Sequence, residues 1–460
     1  MIIAIADLAA AAGGEIIRPR SDAGGERRDG RGPDVVRGAS IDSRSLTHGE
    51  LFVAVPAERD GHDFVAAAAR LGAAAALVSR PVDADIVQIV VDDTVAALGA
   101  MGGLARERLD GPVVGITGSV GKTSTKDLLA SICALAGVTT ASEKSLNNEM
   151  GVPLTLLNAD ELTHRTILEM GARGVGHIAQ LCAIGRPDVG VVTAVAAAHT
   201  EMFGSIDAVA TAKGELVEAL PADGTAVLNA DDPRVLAMAS RTSARVLTFG
   251  TSGSSPDVVA SDVVLDDELR ASFLLTTPWG SAPVRLGVRG RHNVGNALAA
   301  AAAALVTGVG IDDVVAGLGT AQLSPSRMDL IVLPDGGIVL DDAYNANPTS
   351  MRAALAALGS VDAGRRVAVV GLMAELGDDA PRLHAEIAAE ARAAGIEVVA
   401  VGTDLYGGDA DGVTTVADLD ELGERLDPPG PGEAVLLKAS RVVGLDQVAR
   451  RWRHGDRPAR

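Results

Sequence analysis

Aromatic residues are nearly missing from this chain: two Trp, two Tyr and five Phe among 460 residues. Its cores must then be packed from Ala, Val and Leu, and a hydrophobic content of 47% is ample for that. Cysteine is scarce too. Cys133 and Cys182 stand in apolar contexts without metal-ligand spacing, which excludes a disulfide framework and suits a reducing cytoplasm. Positive charge falls short of negative, leaving a formal net charge of −20. That argues against the basic face on which nucleic-acid and membrane-surface proteins depend. Long apolar runs are missing as well: the most apolar one, Ala297 to Ile311, is mainly Ala and Gly and too short to span a bilayer. The N-terminus meets Asp7 before any basic stretch, so a signal peptide is not expected.

The shortage of lysine is more pointed. Of 40 basic residues only five are Lys, at positions 122, 126, 144, 213 and 438. A genome biased toward Arg codons produces such a count. Under that bias a Lys survives best where its own chemistry matters, so each becomes a candidate.

The first of them ends a glycine-rich loop, Gly115-Ile-Thr-Gly-Ser-Val-Gly-Lys-Thr-Ser-Thr-Lys126. An apolar run, Pro112 to Ile116, precedes it as a buried strand, and Lys126 to Leu135 follows as a helix. Backbone N–H groups of Gly118, Ser119, Val120, Gly121, Lys122, Thr123 and Ser124 would converge on a phosphate at the positive end of the helix dipole. Lys122 would reach the outer phosphates, and the Thr123 hydroxyl a Mg²⁺ ion. The strict P-loop spacing is not met, because the first glycine falls one residue early, at Gly115.

Three units are expected, at 1–110, 111–323 and 324–460. The first holds a polar insert at Ser21–Pro33 and strands at Leu51–Val55, Ala75–Val78 and Ile86–Val91. The second has strands at Val113–Thr117, Thr166–Glu169, Val189–Val195, Ala226–Asn229 and Val246–Phe249, alternating with helices. This alternation argues an α/β fold with a doubly wound parallel sheet. Residues 257–288 alternate apolar and polar instead, as an antiparallel appendage would. The third unit repeats the α/β style at Gly337–Leu340, Val367–Val370, Val398–Val401 and Ala434–Leu437. Leu109–Pro112 and Leu323–Ser326 read as hinges.

In open α/β sheets ligands sit at the carboxyl ends of the strands. Glu169 ends a strand beside the loop and is placed to ligate Mg²⁺. His199 follows the strand from Val189, and Asp341 and Asp342 end the first strand of the third unit. Lys213 lies in a predicted helix, Ile206–Glu218, with Val209, Ala210, Leu216 and Val217 three and four residues away. No acid stands at helical ion-pair spacing, so this lysine points inward. A buried ammonium loses its proton readily, and a neutral amine can take up CO₂ to become a carbamate. A lysine snorkelling from an apolar face is the alternative.

Further strings extend the pattern: Ile41-Asp-Ser-Arg44, Asp60–Phe64, Asn147–Leu156, Glu169–Ala172, Ala212–Glu215, Gly290–Leu298 and Asp341–Met351. In their joint order the chain resembles the Mur ligase family over essentially its whole length. Asn147–Leu156 and Asp341–Met351 favour the branch that joins D-Ala-D-Ala to UDP-N-acetylmuramoyl-tripeptide. The resemblance implies three domains: one for the UDP end of the substrate, a central ATP-binding P-loop domain, and a Rossmann-like C-terminal domain delivering the dipeptide. It implies ATP and two Mg²⁺ as cofactors, with a carbamate on Lys213 positioning metal together with Glu169 and His199. It further implies nucleotide contacts at Asn293, Asn296, Arg327 and Asp342, and substrate contacts at Ser43, Arg44, Asn345 and Asn347. Lys438 is open between binding the acceptor's carboxylate and closing a strand end. A monomer in the cytoplasm, with neither nucleic acid nor membrane as partner, is the expected setting.

Leu372 and Ala439 stand where the family usually has Asp and Gly, which opens the question of the amine acceptor. A ligase of the same superfamily with another acceptor is the nearest rival, though the Asp-Ser-Arg string counts against a folylpolyglutamate-type enzyme. A P-loop switch would need Asn-Lys-x-Asp, and Asn229-Ala-Asp-Asp232 lacks the lysine. An inactive paralogue is disfavoured by the presence of Lys122, Glu169, His199 and Lys213 together.

Overall fold

A computed structural model describes residues 1–19, 34–196, 200–252 and 255–454. The insert at Ser21–Pro33 and the candidate His199 lie outside the described residues.

Among the described residues the strands gather into three large sheets and a small pair, Ile2–Ala4 with Val35–Arg37. The first large sheet runs Glu15–Ile17, Val87–Val90, Ala75–Val78, Leu51–Val53, Ala39–Ser40, parallel except at its Glu15–Ile17 edge. In the central sheet, Val113–Thr117 lies between Arg165–Glu169 and Val189–Val192, all parallel. The chain therefore departs to opposite sides of Val113–Thr117, which makes its carboxyl end a switch point where a crevice opens. Five of the predicted central strands appear within a residue or a few of their expected bounds. Largely buried apolar runs leave little alternative.

The antiparallel stretch after residue 257 is continuous with this sheet. Val258–Leu265 pairs parallel with Arg245–Gly250, and Arg270–Thr277 and Gly280–Arg289 then pair antiparallel beyond it. The third sheet runs Asp329–Val332, Ile338–Asp341, Glu433–Lys438, Arg365–Gly371, Glu397–Val401, Val413–Val416, with an antiparallel first edge. Five edge strands of the large sheets escape the sequence reading: Glu15–Ile17, Ala39–Ser40, Thr139–Ala141, Asp329–Val332 and Val413–Val416. Each is short and carries polar residues, so it reads as loop.

The scarcity of aromatics is answered as expected. Helix Asn293–Val306 buries an unbroken run from Ala297 to Ala304 and packs against helix Lys122–Leu135. Alanine gives up no rotamer freedom on burial and lets helices approach closely. Helix Thr94–Arg106 of the first unit packs on Gly151–Leu157 and His177–Gly185 of the central one. Leu98 and Met101 thereby share one buried cluster with Val152, Leu168 and Ile178.

Candidate active site

The glycine loop leaves Thr117 fully buried, with its hydroxyl donating to the Met170 carbonyl at 2.8 Å. Gly118 and Gly121 take φ of 150° and 83°, in the left-handed region that a Cβ disfavours. A Cβ at Gly118 would strike the Thr193 hydroxyl, and one at Gly121 the Asn296 side chain. The loop is therefore cast to one shape. Ser119 exchanges two hydrogen bonds with Ala196, at 3.0 and 3.1 Å, and Thr193 donates to Val120 O at 2.6 Å. Helix Lys122–Leu135 begins at Lys122, four residues earlier than its predicted start at Lys126. Thr123 and Ser124 are buried in its first turn.

Lys122 is half-buried and folds back to donate to Gly118 O at 2.6 Å. Its crowded surroundings push its pKa down; Glu169 opposes this and Arg327 adds to it. Glu169 and Arg327 therefore both lie within electrostatic reach of Lys122. Glu169 is 1% exposed at the end of its strand. Its Oε1 accepts from Asn147 Nδ2 at 2.8 Å, while Oε2, equally buried, has no hydrogen-bond partner among the described residues. A buried carboxylate oxygen left alone is costly, and native proteins reserve such positions for an ion, a water or a ligand. Among the described residues no three His, Cys, Asp or Glu side chains converge on one point. A hard cation here would take Glu169 with hydroxyl and phosphate oxygens, the manner in which Mg²⁺ is usually held.

Lys213 does point inward. It is 2% exposed on helix Ile206–Glu218, whose N-terminus Ser205 caps by accepting from Ala208 N at 3.1 Å. Burial chiefly, then repulsion from Lys122, brings its pKa down to about 7 against a pull from Glu215. Near neutral pH a substantial fraction of its amine is unprotonated. Lys122, Glu169, Lys213 and Arg327 are thus gathered from separate stretches of chain.

Asn296 abuts the same loop at Gly121 and is joined to Asn293. Asn293 donates to Arg289 O at 2.6 Å and accepts from Asn296 at 2.7 Å. Across the crevice, Arg327 lies over the Tyr344 ring at 4.1 Å. Asp342 accepts from Met328 N at 3.1 Å and from Lys438 Nζ at 2.5 Å. Lys438 is buried and also donates to Asn345 O at 2.9 Å. Its protons are directed at protein oxygens, which favours the strand-end reading over a free acceptor-binding ammonium. Asn345 is exposed, and Asn347 caps helix Pro348–Ser360 by accepting from Ser350 N at 2.9 Å. Leu372 and Ala439 turn out to be neighbours, since Ser440 N donates to Leu372 O at 2.9 Å.

In the first unit Arg44 grips Asp42 with two hydrogen bonds, at 2.9 and 2.7 Å, and holds that carboxyl down to about 2. Lys144, in the central unit's loop after Thr139–Ala141, contributes to this shift and so lies within electrostatic reach of Asp42. That loop is the part sequence reasoning undervalued. Ser142 accepts from Glu169 N at 3.1 Å, and Lys126, buried, donates to Ser142 O at 2.8 Å. Asn147 was legible only as a letter in a string; its grip on Glu169 spans 22 residues. A groove of about 1080 Å³ runs between the first unit's helices and His177–Gly185, but none of the candidate site residues lines it.

Comparison with known proteins places these motifs. The Mur ligase middle domain matches residues 116–304, and the Mur ligase glutamate ligase domain matches residues 326–441. The chain is 40% identical over 429 residues to the UDP-N-acetylmuramoyl-tripeptide–D-alanyl-D-alanine ligase of Escherichia coli K12, covering 91% of this chain and 94% of that one. It is 39% identical to the Mycobacterium tuberculosis H37Rv enzyme of the same name, over 89% and 90% of the two chains. In structure it matches MurF from Acinetobacter baumannii with a TM-score of 0.85 at 31% identity, over 99% of both chains. MurF from Thermotoga maritima, solved in complex with ADP, matches with a TM-score of 0.77 at 28% identity, over 91% and 97%.

Proposed function

The chain belongs to the Mur ligase family, and on that premise we propose that it uses ATP to join D-Ala-D-Ala to UDP-N-acetylmuramoyl-tripeptide. The products are the UDP-pentapeptide of peptidoglycan synthesis, ADP and phosphate. The observation that carries this reading is the buried Glu169 oxygen, without a partner among the described residues, with Lys122 in electrostatic reach of both that carboxylate and the amine of Lys213.

An amide does not form from a carboxylate and an amine in water without activation. The peptide's terminal carboxylate attacks the γ-phosphorus of ATP; a C(=O)O–P bond forms and ADP leaves. The neutral amine of D-Ala-D-Ala then attacks the acyl carbon, phosphate departs with the bonding pair, and the amine loses a proton. Two anions must meet in the first step. Lys122 would exchange its bond to Gly118 O for a phosphate oxygen, and the loop N–H groups would hold the rest. Thr123, Glu169, His199 and Lys213, the last as its carbamate, are the residues we assign to hold two Mg²⁺ ions, whose chemistry when bound is neutralisation of phosphate charge. Asn293, Asn296, Arg327 and Asp342 flank the nucleotide in this reading, and Ser43 and Arg44 the UDP end. Asn345, Asn347 and Lys438 shape the acceptor side from within the third unit. Water kept out by closure of that unit cannot hydrolyse the acyl phosphate.

We divide the chain at 1–110, 111–323 and 324–460 and take it to act as a monomer in the cytoplasm. Among the described residues no helix is long and apolar enough to cross a membrane.

The test is phosphate release from ATP with UDP-N-acetylmuramoyl-tripeptide, with and without D-Ala-D-Ala, and mass spectrometry of the product. Release that needs both substrates and yields a UDP-pentapeptide upholds the reading. ATP binding with no stimulation by either would overturn it, and the adjoining Leu372 and Ala439 would point to a ligase with another amine acceptor. Lys213→Ala is expected to lower turnover by about 100-fold or more while ATP still binds. Recovery with a short-chain carboxylic acid would support the carbamate; full activity without it would remove Lys213 from the machinery.

A further inference from the structure

Glu169 is oriented by one loop, and that loop is touched by the third unit. Asn147 Nδ2 donates to Glu169 Oε1 at 2.8 Å, Ser142 Oγ accepts from Glu169 N at 3.1 Å, and Gly171 N donates to Asn147 O at 2.7 Å. Lys126 clamps the loop's first turn through Ser142 O at 2.8 Å and Lys144 O at 3.3 Å. Lys144 itself takes a left-handed φ of 49°. Between these clamps stands Ser145, whose Oγ accepts from Tyr344 OH at 2.5 Å across 199 residues of sequence.

Tyr344 belongs to the turn between strand Ile338–Asp341 and helix Pro348–Ser360 of the third unit. Its ring carries Arg327 on one side at 4.1 Å and approaches Arg441 at 5.7 Å. Arg327 in turn lies within electrostatic reach of Lys122. One side chain of the third unit thus meets both the loop that aims Glu169 and the guanidinium that shares the phosphate crevice.

We propose that Tyr344 is a positioning residue: through Ser145 it registers the third unit against the Ser142–Asn147 loop, so docking of that unit and the aim of Glu169 are coupled. Among the described residues Asn147 is the side chain that holds the Glu169 carboxylate, so the direction of that carboxylate follows Asn147, and Asn147 follows the loop. A third unit that is out of place would leave the Glu169 carboxylate misdirected, which links phosphoryl transfer to enclosure of the site. The inference rests on the ligase reading only in taking Glu169 as a Mg²⁺ ligand.

The experiment is a double-mutant cycle of Tyr344→Phe and Ser145→Ala in the full chain. It has two readouts: turnover, and the gain in ADP affinity on adding Mg²⁺, measured by calorimetry. Each single variant is expected to lower turnover and shrink the Mg²⁺-dependent gain by about threefold to tenfold, the worth of one hydrogen bond. The double variant should be no worse than either single one, because both remove the same contact. ADP affinity without Mg²⁺ should be unchanged, and Ser145→Thr, which keeps an acceptor, should behave as the parent. Additive losses, or an intact Mg²⁺-dependent gain in both single variants, would overturn the proposal. If Tyr344→Phe folds poorly, Ser145→Ala alone decides through the same gain. Should the parent chain turn over no tripeptide, the ligase reading fails, while the Mg²⁺-dependent ADP measurement still tests Tyr344.

Discussion

Where the first unit meets the central one, Leu98 and Met101 share a buried cluster with Val152, Leu168 and Ile178. Where the central unit meets the third, the contacts are mostly directional. Ser324 N and Oγ both donate to Asp127 Oδ2, at 2.7 and 2.8 Å, and Tyr344 donates to Ser145. Leu269 is the central-unit residue that joins the third unit's core beside Met328. Apolar burial has no partner in water to exchange with, so sliding such an interface exposes area at roughly 25 cal/mol per Å². Hydrogen bonds can be traded for water and remade at a net change of only about 1 kcal/mol each.

The two expected hinges are therefore not equivalent. Arg106 pins the first, donating to Leu109 O at 3.0 Å, to Gly185 O at 3.1 Å and to Asp188 at 3.0 Å. The second contains Ser326, with Met328 two residues beyond it, and both hold left-handed φ of 58°, a conformation that β-carbons resist and that movement would relieve. Motion is expected at the second.

The sharpest way to break this contrast is to wedge the tight junction. A Cβ on Gly102 would lie 2.6 Å from Pro153 Cα, in the backbone of a neighbouring helix. Gly102→Leu is expected to cost on the order of 3 kcal/mol or more. The check is chemical denaturation: an unshifted midpoint would show that the first junction is as loose as the second.

A smaller effect should come from charge near the second junction. Burial chiefly, then repulsion from Asp329 and Asp342, pushes the Asp341 carboxyl up to about 6, against bonds from Ala343 N and Ser326 Oγ. A carboxyl whose folded pKa lies above its unfolded one binds more protons folded than unfolded between those values. Stability therefore falls as pH rises from about 4 to about 6, by roughly 2–3 kcal/mol from this group. Asp341→Asn should flatten that slope in thermal melts taken across the window. An equal slope in the variant would assign it elsewhere.

Least of all should Ser324→Ala change stability, by about 1 kcal/mol. It removes one of two bonds to Asp127, so what should move is local opening. Proteolysis in the 323–328 segment is expected to quicken several-fold while the melting temperature hardly shifts. A protected segment would place the hinge elsewhere.

Much of the site was legible because its chemistry is contiguous. A strand, a glycine loop and a helix occupy Val113 to Leu135 without interruption, so backbone sterics and helix polarity make that motif readable locally. Lys213 was legible through what its helix lacks, an acid at ion-pair spacing, and it is buried as that lack implied. Illegible were the contacts that span the chain: Asn147 on Glu169, Thr193 on the loop, and Tyr344 on Ser145. Nothing in an Asn or Tyr read singly marks its partner. Edge strands such as Thr139–Ala141 were lost for a related reason, since their pairing lies with a neighbour and little of it shows in their own periodicity.

By itself, then, the sequence determined the α/β style of all three units, the strand, glycine loop and helix in series and the inward lysine, because helix, strand and turn preferences act over a few residues. Only the tertiary structure decided that Lys438 is held by Asp342 and Asn345, that the first junction is a shared core, and that one Glu169 oxygen is left without a partner among the described residues. Those outcomes depend on distances between residues far apart in sequence. They are set when apolar faces close on one another and each buried polar group finds its partner or goes without.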